Sequence, residues 1–409
     1  MPTTEELKKS VCVLPWIHLN VWTDGRIIPC CINQETLFGH TKKDTVEKAF
    51  NSEVAVNFRK KMLSGTLPES CRRCKMPEDE LHIESYRTSM NAKYIADFER
   101  IISGEVNEYI TDWNIKYLDV RYSNLCNFSC LTCDTLNSSG VAQDYKKLNR
   151  LKPDHSVVQN AFNDPRDFYS FVEKNIHSLQ EIYFCGGEPL LLKEHYDILN
   201  LLIKNKKTEV EIRYNSNMSN LSYSNFQIVD FWKQFKNVNL GGSLDASGAR
   251  AEYMRKGTRW EQIEKNRALL KKEVPHIYFY MQPTVQLMNS LHLPDFHLDW
   301  IDRGWAEPDS IYFNILTDPE FYSLKNLPSD FKIEVAEKWK NYQNKLIELN
   351  CNKHTEQQIN GVISYLNTPE HSANSLKKFG EEILTFDKLR NTDFKQIFPE
   401  FEPLFQKIF

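Results

Sequence analysis

"IKYLDVRYSNLCNFSCLTC", residues 115–133, reads as a β-strand that runs straight into a loop of thiols. Its first nine residues are rich in aromatic and β-branched side chains, the composition of a strand. Cys126, Cys130 and Cys133 then fall within eight positions, with no fourth cysteine nearby. A structural zinc site closes with four protein ligands, whereas a site kept for chemistry leaves one coordination position open. Three thiolates suit three irons of a [4Fe–4S] cubane and leave the fourth iron free to bind a substrate or cofactor.

The same alternation of strand and helix continues downstream. Strand candidates are "EIYFC" (181–185), "VEIRYN" (210–215), "NVNLGGS" (237–243), "HIYFYMQPTVQ" (276–286) and "SIYFNIL" (310–316). Helical patterns such as "KEHYDILNLLIKN" and "WEQIEKNRALLKK" lie between the later strands. Repeated β-α units imply a parallel sheet with right-handed crossovers. Six strands over some 200 residues predict an α/β fold, a partial (β/α)6 TIM-like barrel over residues 112–318. Such folds gather their chemistry at the C-terminal ends of the strands. There lie "CGGEP" (185–189), "YNSNMSN" (214–220) and "GSLDAS" (242–247), with "YMRKG" (253–257) close behind. By themselves these are also ordinary turn and helix-cap sequences.

Ahead of the barrel, "WIHLNVW" alternates apolar and polar residues up to Asp24-Gly25, and "IIPCC" follows. That is a strong hairpin signal. The hairpin brings Cys12, before its first strand, to the same end as Cys30, which closes the second. Residues 44–65 read as one amphipathic helix ending at Gly65, with Cys71 and Cys74 beyond it. A tetrad of thiols suits zinc and iron–sulfur alike, so the spacing leaves the metal open. The reading divides the chain into a metal-binding module (1–77), a helical linker (78–111), the barrel, and a helical C-terminal region (319–409).

Composition narrows the class. The chain has 409 residues, 41% hydrophobic and 26% charged, with a net charge of −4, so nothing global draws it to nucleic acid or an anionic membrane. The N-terminus has no signal-peptide pattern and no segment is apolar enough to span a bilayer, which predicts a cytoplasmic protein. Ten cysteines in a reducing compartment ask for metal or catalysis before disulfides.

The C-x3-C-x2-C spacing after a first strand resembles the radical S-adenosylmethionine (SAM) superfamily. The resemblance implies that Cys126, Cys130 and Cys133 hold a [4Fe–4S] cluster whose open iron chelates SAM. It makes Gly186, Gly187, Glu188 and Pro189 the motif for the SAM amino group, beside Cys185. Ser216 and Asn217 become ribose contacts, Ser243 and Asp245 polar groups for SAM or substrate, and Arg255 a partner for the SAM carboxylate. Gln286, Asn289 and Asn314 are weaker candidates of the same kind. Many members carry an aromatic residue just before the last cysteine; here it is Thr132, and Phe128 is the candidate to cover the adenine.

Cys12, Gly25, Cys30, Cys71 and Cys74 follow a pattern that resembles the SPASM or shortened twitch module of that superfamily. This implies an auxiliary [4Fe–4S] cluster on Cys12, Cys30, Cys71 and Cys74, with Cys31 either a substitute for Cys30 or a bystander. In those families the module usually follows the barrel; here it precedes it. The implied activity is reductive cleavage of SAM to a 5′-deoxyadenosyl radical and hydrogen abstraction from an unactivated C–H bond. A fully ligated auxiliary cluster would carry electrons, so the expected outcome is oxidative modification of a peptide or protein, by crosslinking or dehydrogenation. The alternatives are oxidation or rearrangement of a sugar, aminocyclitol or nucleotide, peptide epimerisation with Cys185 or Cys351 as hydrogen donor, and a zinc-stabilised binding protein without catalysis. A reductase such as flavodoxin or ferredoxin is the expected partner, with no membrane and no nucleic acid.

Overall fold

The computed structural model describes residues 2–80, 84–111, 114–370, 372 and 374–408. Among these, the strands are β1 (His18–Val21), β2 (Arg26–Ile28), β3 (Gly39–His40), β4 (Tyr117–Val120), β5 (Ser129–Cys130), β6 (Glu181–Phe184) and β7 (Glu211–Ser216). They continue as β8 (Ser222–Tyr223), β9 (Phe226–Gln227), β10 (Val238–Gly242), β11 (Arg255–Lys256), β12 (Tyr278–Met281), β13 (Thr284–Val285) and β14 (Asn314–Ile315). The fold is α/β, with the hairpin module ahead of the parallel β/α strands and helices Ser329–Glu348, Lys353–Leu366 and Ser375–Arg390 behind them. No helix among the described residues is long and apolar enough to cross a membrane.

The chain divides into two compact units. One comprises Met1–Asn124, Val158–Arg213 and Gln234–Asn237; the other comprises Leu125–Val157, Tyr214–Lys233 and Val238–Phe409. In the first, β1 and β2 form the expected antiparallel hairpin, Asn20 opposite Ile28 and Val21 opposite Ile27. Gly25 turns the corner at φ +101°, where an L side chain is strained. The sequence reading did not foresee that β1 also pairs in parallel with β4, His18 beside Tyr117 through Val21 beside Val120. β4 in turn pairs in parallel with β6. The auxiliary module therefore extends the parallel sheet instead of hanging from it. All four β1 residues are buried, as a strand covered on both faces must be.

The single helix expected over 44–65 is two, Val46–Phe50 and Glu53–Leu63. Ser52 breaks it, because its hydroxyl accepts from the Ala55 N–H and starts the second helix afresh. Within the expected linker, residues 81–83 lie outside the described residues. Helices Tyr86–Lys93 and Ile95–Ile102 follow, and the first is hydrogen-bonded to the N-terminal segment.

In the second unit, β10 and β12 pair in parallel. The candidate strand 276–286 splits at Gln282-Pro283, since proline has no N–H for a ladder. The sixth strand, expected over 310–316, is a correction: it shrinks to β14, paired with β13, and an isolated bridge from Ile311 to Met281.

Gly25 is the testable hinge of the hairpin. A Cβ there would lie 2.7 Å from both His40 Cε1 and Thr41 Oγ1, and 2.9 Å from the Ala161 carbonyl. Gly25→Ala should cost about 1–3 kcal/mol, read as a fall in thermal midpoint. An unchanged midpoint would mean that the turn relaxes freely.

Candidate functional site

In the first unit, Cys12, Cys30, Cys71 and Cys74 line one small cavity, together with Tyr86, Arg87 and Asn33. The walls are pinned from several directions. Arg87 donates to the Val11 carbonyl at 2.7 Å, and Asn91 brackets Cys12 by donating to Val11 O at 2.9 Å and accepting from Val13 N at 2.8 Å. Asn33 Nδ2 sits 3.7 Å from Cys71 Sγ. Burial pushes the Cys12 thiol up to about 12 and Cys71 to about 11. Thiols so buried become thiolates only when a cation replaces their protons. Cys31 turns elsewhere: its charged and polar neighbours are Asp119, Arg121 and Tyr86, and it does not line the cavity.

At the strand ends of the same unit, Gly186 and Gly187 take φ of +76° and +51°. Glu188 is buried, and one carboxylate oxygen accepts from Leu190 N at 3.2 Å at the start of the Pro189–Leu191 turn. Cys185 donates its S–H to Asp119 Oδ1 at 3.1 Å. Asp119 also accepts from Asn20 Nδ2 at 2.5 Å and lies 3.8 Å from Arg121 Nε. Arg121 stacks on Trp22, 4.3 Å from the ring centre. Sequence reasoning missed Asn20, Asp119 and Arg121. Their signal was present as polar residues on the buried strands β1 and β4, or just past β4.

In the second unit, the cysteine loop is tied to the start of helix Ser139–Lys147. The Ser139 hydroxyl accepts from Cys126 N at 3.0 Å, and Ser138 Oγ donates to Phe128 O at 2.7 Å. Phe128 N–H points to Cys126 Sγ at 3.4 Å. β5 pairs antiparallel with β11, Cys130 beside Arg255. Gly257, at φ +110°, allows the close approach, since a Cβ would lie 2.5 Å from Asn127 O. The Cys133 thiol is raised well above its ordinary value, first by burial and then by the charges of Cys130 and Cys126. Burial also raises Cys130, opposed by the positive charges of Arg255 and Arg390.

Asp245 and Arg255, expected to face ligand, hold each other through bonds of 2.7 and 3.0 Å. The remaining Arg255 nitrogen, Nη1, lies 3.8 Å from Cys130 Sγ. Asp245 also accepts from Thr284 N at 2.7 Å. Asn217 links the end of β7 to the cysteine loop, donating to Asn127 Oδ1 at 2.9 Å. Ser216 is buried and accepts from Met218 N at 3.0 Å, while its carbonyl takes Ser243 N at 2.8 Å. Phe128 is buried, with its ring against Gly257. Gln286 is buried; its N–H donates to Asn289, whose Nδ2 donates to the Asp245 and Thr284 carbonyls. Asn314 is exposed on β14. Cys351 has Tyr342, Asp309 and Glu356 for neighbours, none of them an expected site residue.

Two family models match the chain. The SPASM model, an iron–sulfur cluster-binding domain, matches residues 12–75, and the radical SAM superfamily model matches residues 120–286. The chain thus carries a radical SAM domain preceded by an N-terminal SPASM module. A GTP 3′,8-cyclase from Campylobacter jejuni subsp. doylei is 26% identical over 130 residues, 32% of this chain. The match spans 33% of that relative, about a third of its length. Among solved structures, native anSMEcpe with bound AdoMet and Cp18Cys peptide aligns at a TM-score of 0.40 and 17% identity, covering 57% of this chain and 61% of that one. TYW1 with a lysine-pyruvate adduct aligns at 0.29 and 14%, covering 57% and 71%.

The family brings a [4Fe–4S] cluster with SAM and an auxiliary iron–sulfur centre. The thiols fit both. A tetrad of thiolates suits zinc and iron–sulfur alike, and the SPASM match is what favours iron–sulfur here. Adjacent cysteines separate the readings sharply. Cys30→Ala should lose about half of the bound iron, the share of one cubane in two, while Cys31→Ala should keep all of it. Equal losses in the two variants would remove Cys30 as the ligand.

Proposed function

We propose that this radical SAM enzyme oxidises a peptide or protein side chain, forming a crosslink or a double bond. The observation that carries the reading is the ring of Cys12, Cys30, Cys71 and Cys74 around one cavity. Four protein thiols leave no open iron for a substrate, so an auxiliary centre held by them is suited to receiving an electron. When bound, the clusters and SAM supply a 5′-deoxyadenosyl radical and a route for the electron that a substrate radical gives up.

The remaining work falls to the chain. Cys126, Cys130 and Cys133 would hold the first cluster, with Ser138, Ser139 and the β5–β11 pairing keeping their loop in one conformation. Arg255 would place a positive charge against the Cys130 sulfur, held there by Asp245. Gly186, Gly187 and Glu188 would receive the SAM amino group, the Glu188 carboxylate being buried and fixed by Leu190 N. Cys185, whose S–H is held by Asp119, is the thiol best prepared to return a hydrogen atom if the outcome is epimerisation. An external reductase of the flavodoxin or ferredoxin type would supply the electron.

A nucleotide substrate is the second reading, favoured by the match to a GTP 3′,8-cyclase. The protein, purified without oxygen and given a strong reductant, should hold about eight irons, four per cubane, and release 5′-deoxyadenosine from SAM. Joint replacement of Cys126, Cys130 and Cys133 by alanine should abolish the release and leave about four irons. Cleavage that survives the triple variant would refute the site. Consumption of GTP in the same assay, with no peptide turned over, would replace the peptide reading with the nucleotide one.

A further inference from the structure

The C-terminal helical region carries no motif of its own, yet one of its side chains reaches the cysteine loop. Arg390 closes helix Ser375–Arg390, and the chain turns away at once through Asn391 in the left-handed conformation. Its Nη2 donates to the Ser129 carbonyl at 2.8 Å, to Ser129 Oγ at 3.1 Å and to Asp144 Oδ2 at 3.2 Å. Ser129 is the residue immediately before Cys130. Ser129 Oγ closes the triangle by donating to Asp144 at 2.8 Å. Both ends of the ion pair are buried, with side-chain exposures of 4% for Arg390 and 3% for Asp144. The guanidinium lies 4.6 Å from the centre of the Phe386 ring.

Two features set Arg390 apart from a surface clamp. Its Nε and Nη1 are buried and make no hydrogen bond among the described residues, so its charge is not spent entirely on Asp144. Charge also accumulates at this point. Arg255, Lys256, Lys147 and Arg390 face two carboxylates, Asp245 and Asp144, so four cations stand against two anions around one thiol ligand. Reducing an iron–sulfur centre adds a negative charge, and hydrogen bonding, net charge and burial around the sulfurs set its potential. A buried cation acts strongly there, because little water screens it.

We infer that Arg390 is a positioning residue that couples the C-terminal helix to the cysteine loop and raises the reduction potential of the SAM-binding cluster. The inference rests on Cys126, Cys130 and Cys133 holding that cluster. It gives the helical region a role in the electron-transfer step of the reaction. The charge belongs to Arg390 and Asp144 together, and the two should act with opposite signs.

The test is a redox titration of the whole enzyme, following the reduced cluster by electron paramagnetic resonance and assigning it by the change that SAM produces in its signal. Arg390→Gln keeps hydrogen-bond donors and removes the charge. It should make reduction about tenfold less favourable, a fall of about 59 mV for one electron. Arg390→Lys should titrate close to wild type, and Asp144→Asn should shift upward. A structural clamp alone would change cluster content in these variants without moving the potential of the clusters retained. An Arg390→Gln enzyme that titrates with wild type overturns the inference. If Arg390→Gln binds no cluster, Asp144→Asn decides alone, and a potential that stays or falls overturns it. A wild type whose signal does not respond to SAM would instead overturn the assignment of the three cysteines.

Discussion

A thiolate ligand must be charged and buried together, and those requirements oppose each other. Burial first, and neighbouring charges after it, drive cysteines of both units above their ordinary range, as at Cys12, Cys71 and Cys133. A chain that draws several thiols together has to provide cations for them. Much of the local structure answers that need. Arg255 reaches the Cys130 sulfur, Arg390 comes in behind the same residue, and Arg87 lines the cavity of the other unit. Each arginine is itself held, by Asp245, by Asp144 with Ser129, or by Glu78 and the Val11 carbonyl. Asp245, expected to offer a polar group to SAM or substrate, is one of these anchors, holding Arg255.

The thiol loops also need backbones that do not yield, and the two units meet this differently. The N-terminal hairpin gains rigidity by lending β1 to the parallel sheet, where it pairs with β4 along its whole length. Helix Tyr86–Lys93 then ties the residues on both sides of Cys12. In the other unit, the cysteine loop rests on a helix start and on a two-residue strand pair, with Gly257 leaving room for Asn127. Capping and pairing of this kind satisfy backbone groups that a free loop would leave to water.

Much of this was legible in the sequence because it is written locally. The Asp24-Gly25 hairpin, the strand ends and the cysteine spacings depend on residues close together in the chain, and strands β4, β6, β7, β10 and β12 all fall within their candidate segments or one residue beyond. What escaped depends on distance or on competition between neighbours. Arg390 lies 261 positions from Ser129, and no periodicity connects them. Ser52 divides a helix because its hydroxyl serves the next turn better than the preceding one. The strand over 310–316 had the right composition, but its partner was interrupted by Pro283, which left only β14 to pair.

Cys30 and Cys31 show how far spacing can reach. They are adjacent, of the same chemistry, and equally placed at the end of a hairpin strand, so no count of intervening residues separates them. Geometry does. Cys30 lines the cavity with Cys12, Cys71 and Cys74, while Cys31 faces the polar group of Asp119, Arg121 and Tyr86, where Cys185 also lies. Two thiols thus share one buried carboxylate and one guanidinium outside the auxiliary ring. Asp119 accepts the Cys185 S–H, which favours the protonated thiol, and Arg121 opposes it by favouring the thiolate. Burial is the larger cause, and it raises Cys185 well above the ordinary thiol range. Burial raises Cys30 in the same direction, so what separates the two is the company each keeps: Cys30 lines the cavity with three other thiols, and Cys185 has its S–H on Asp119.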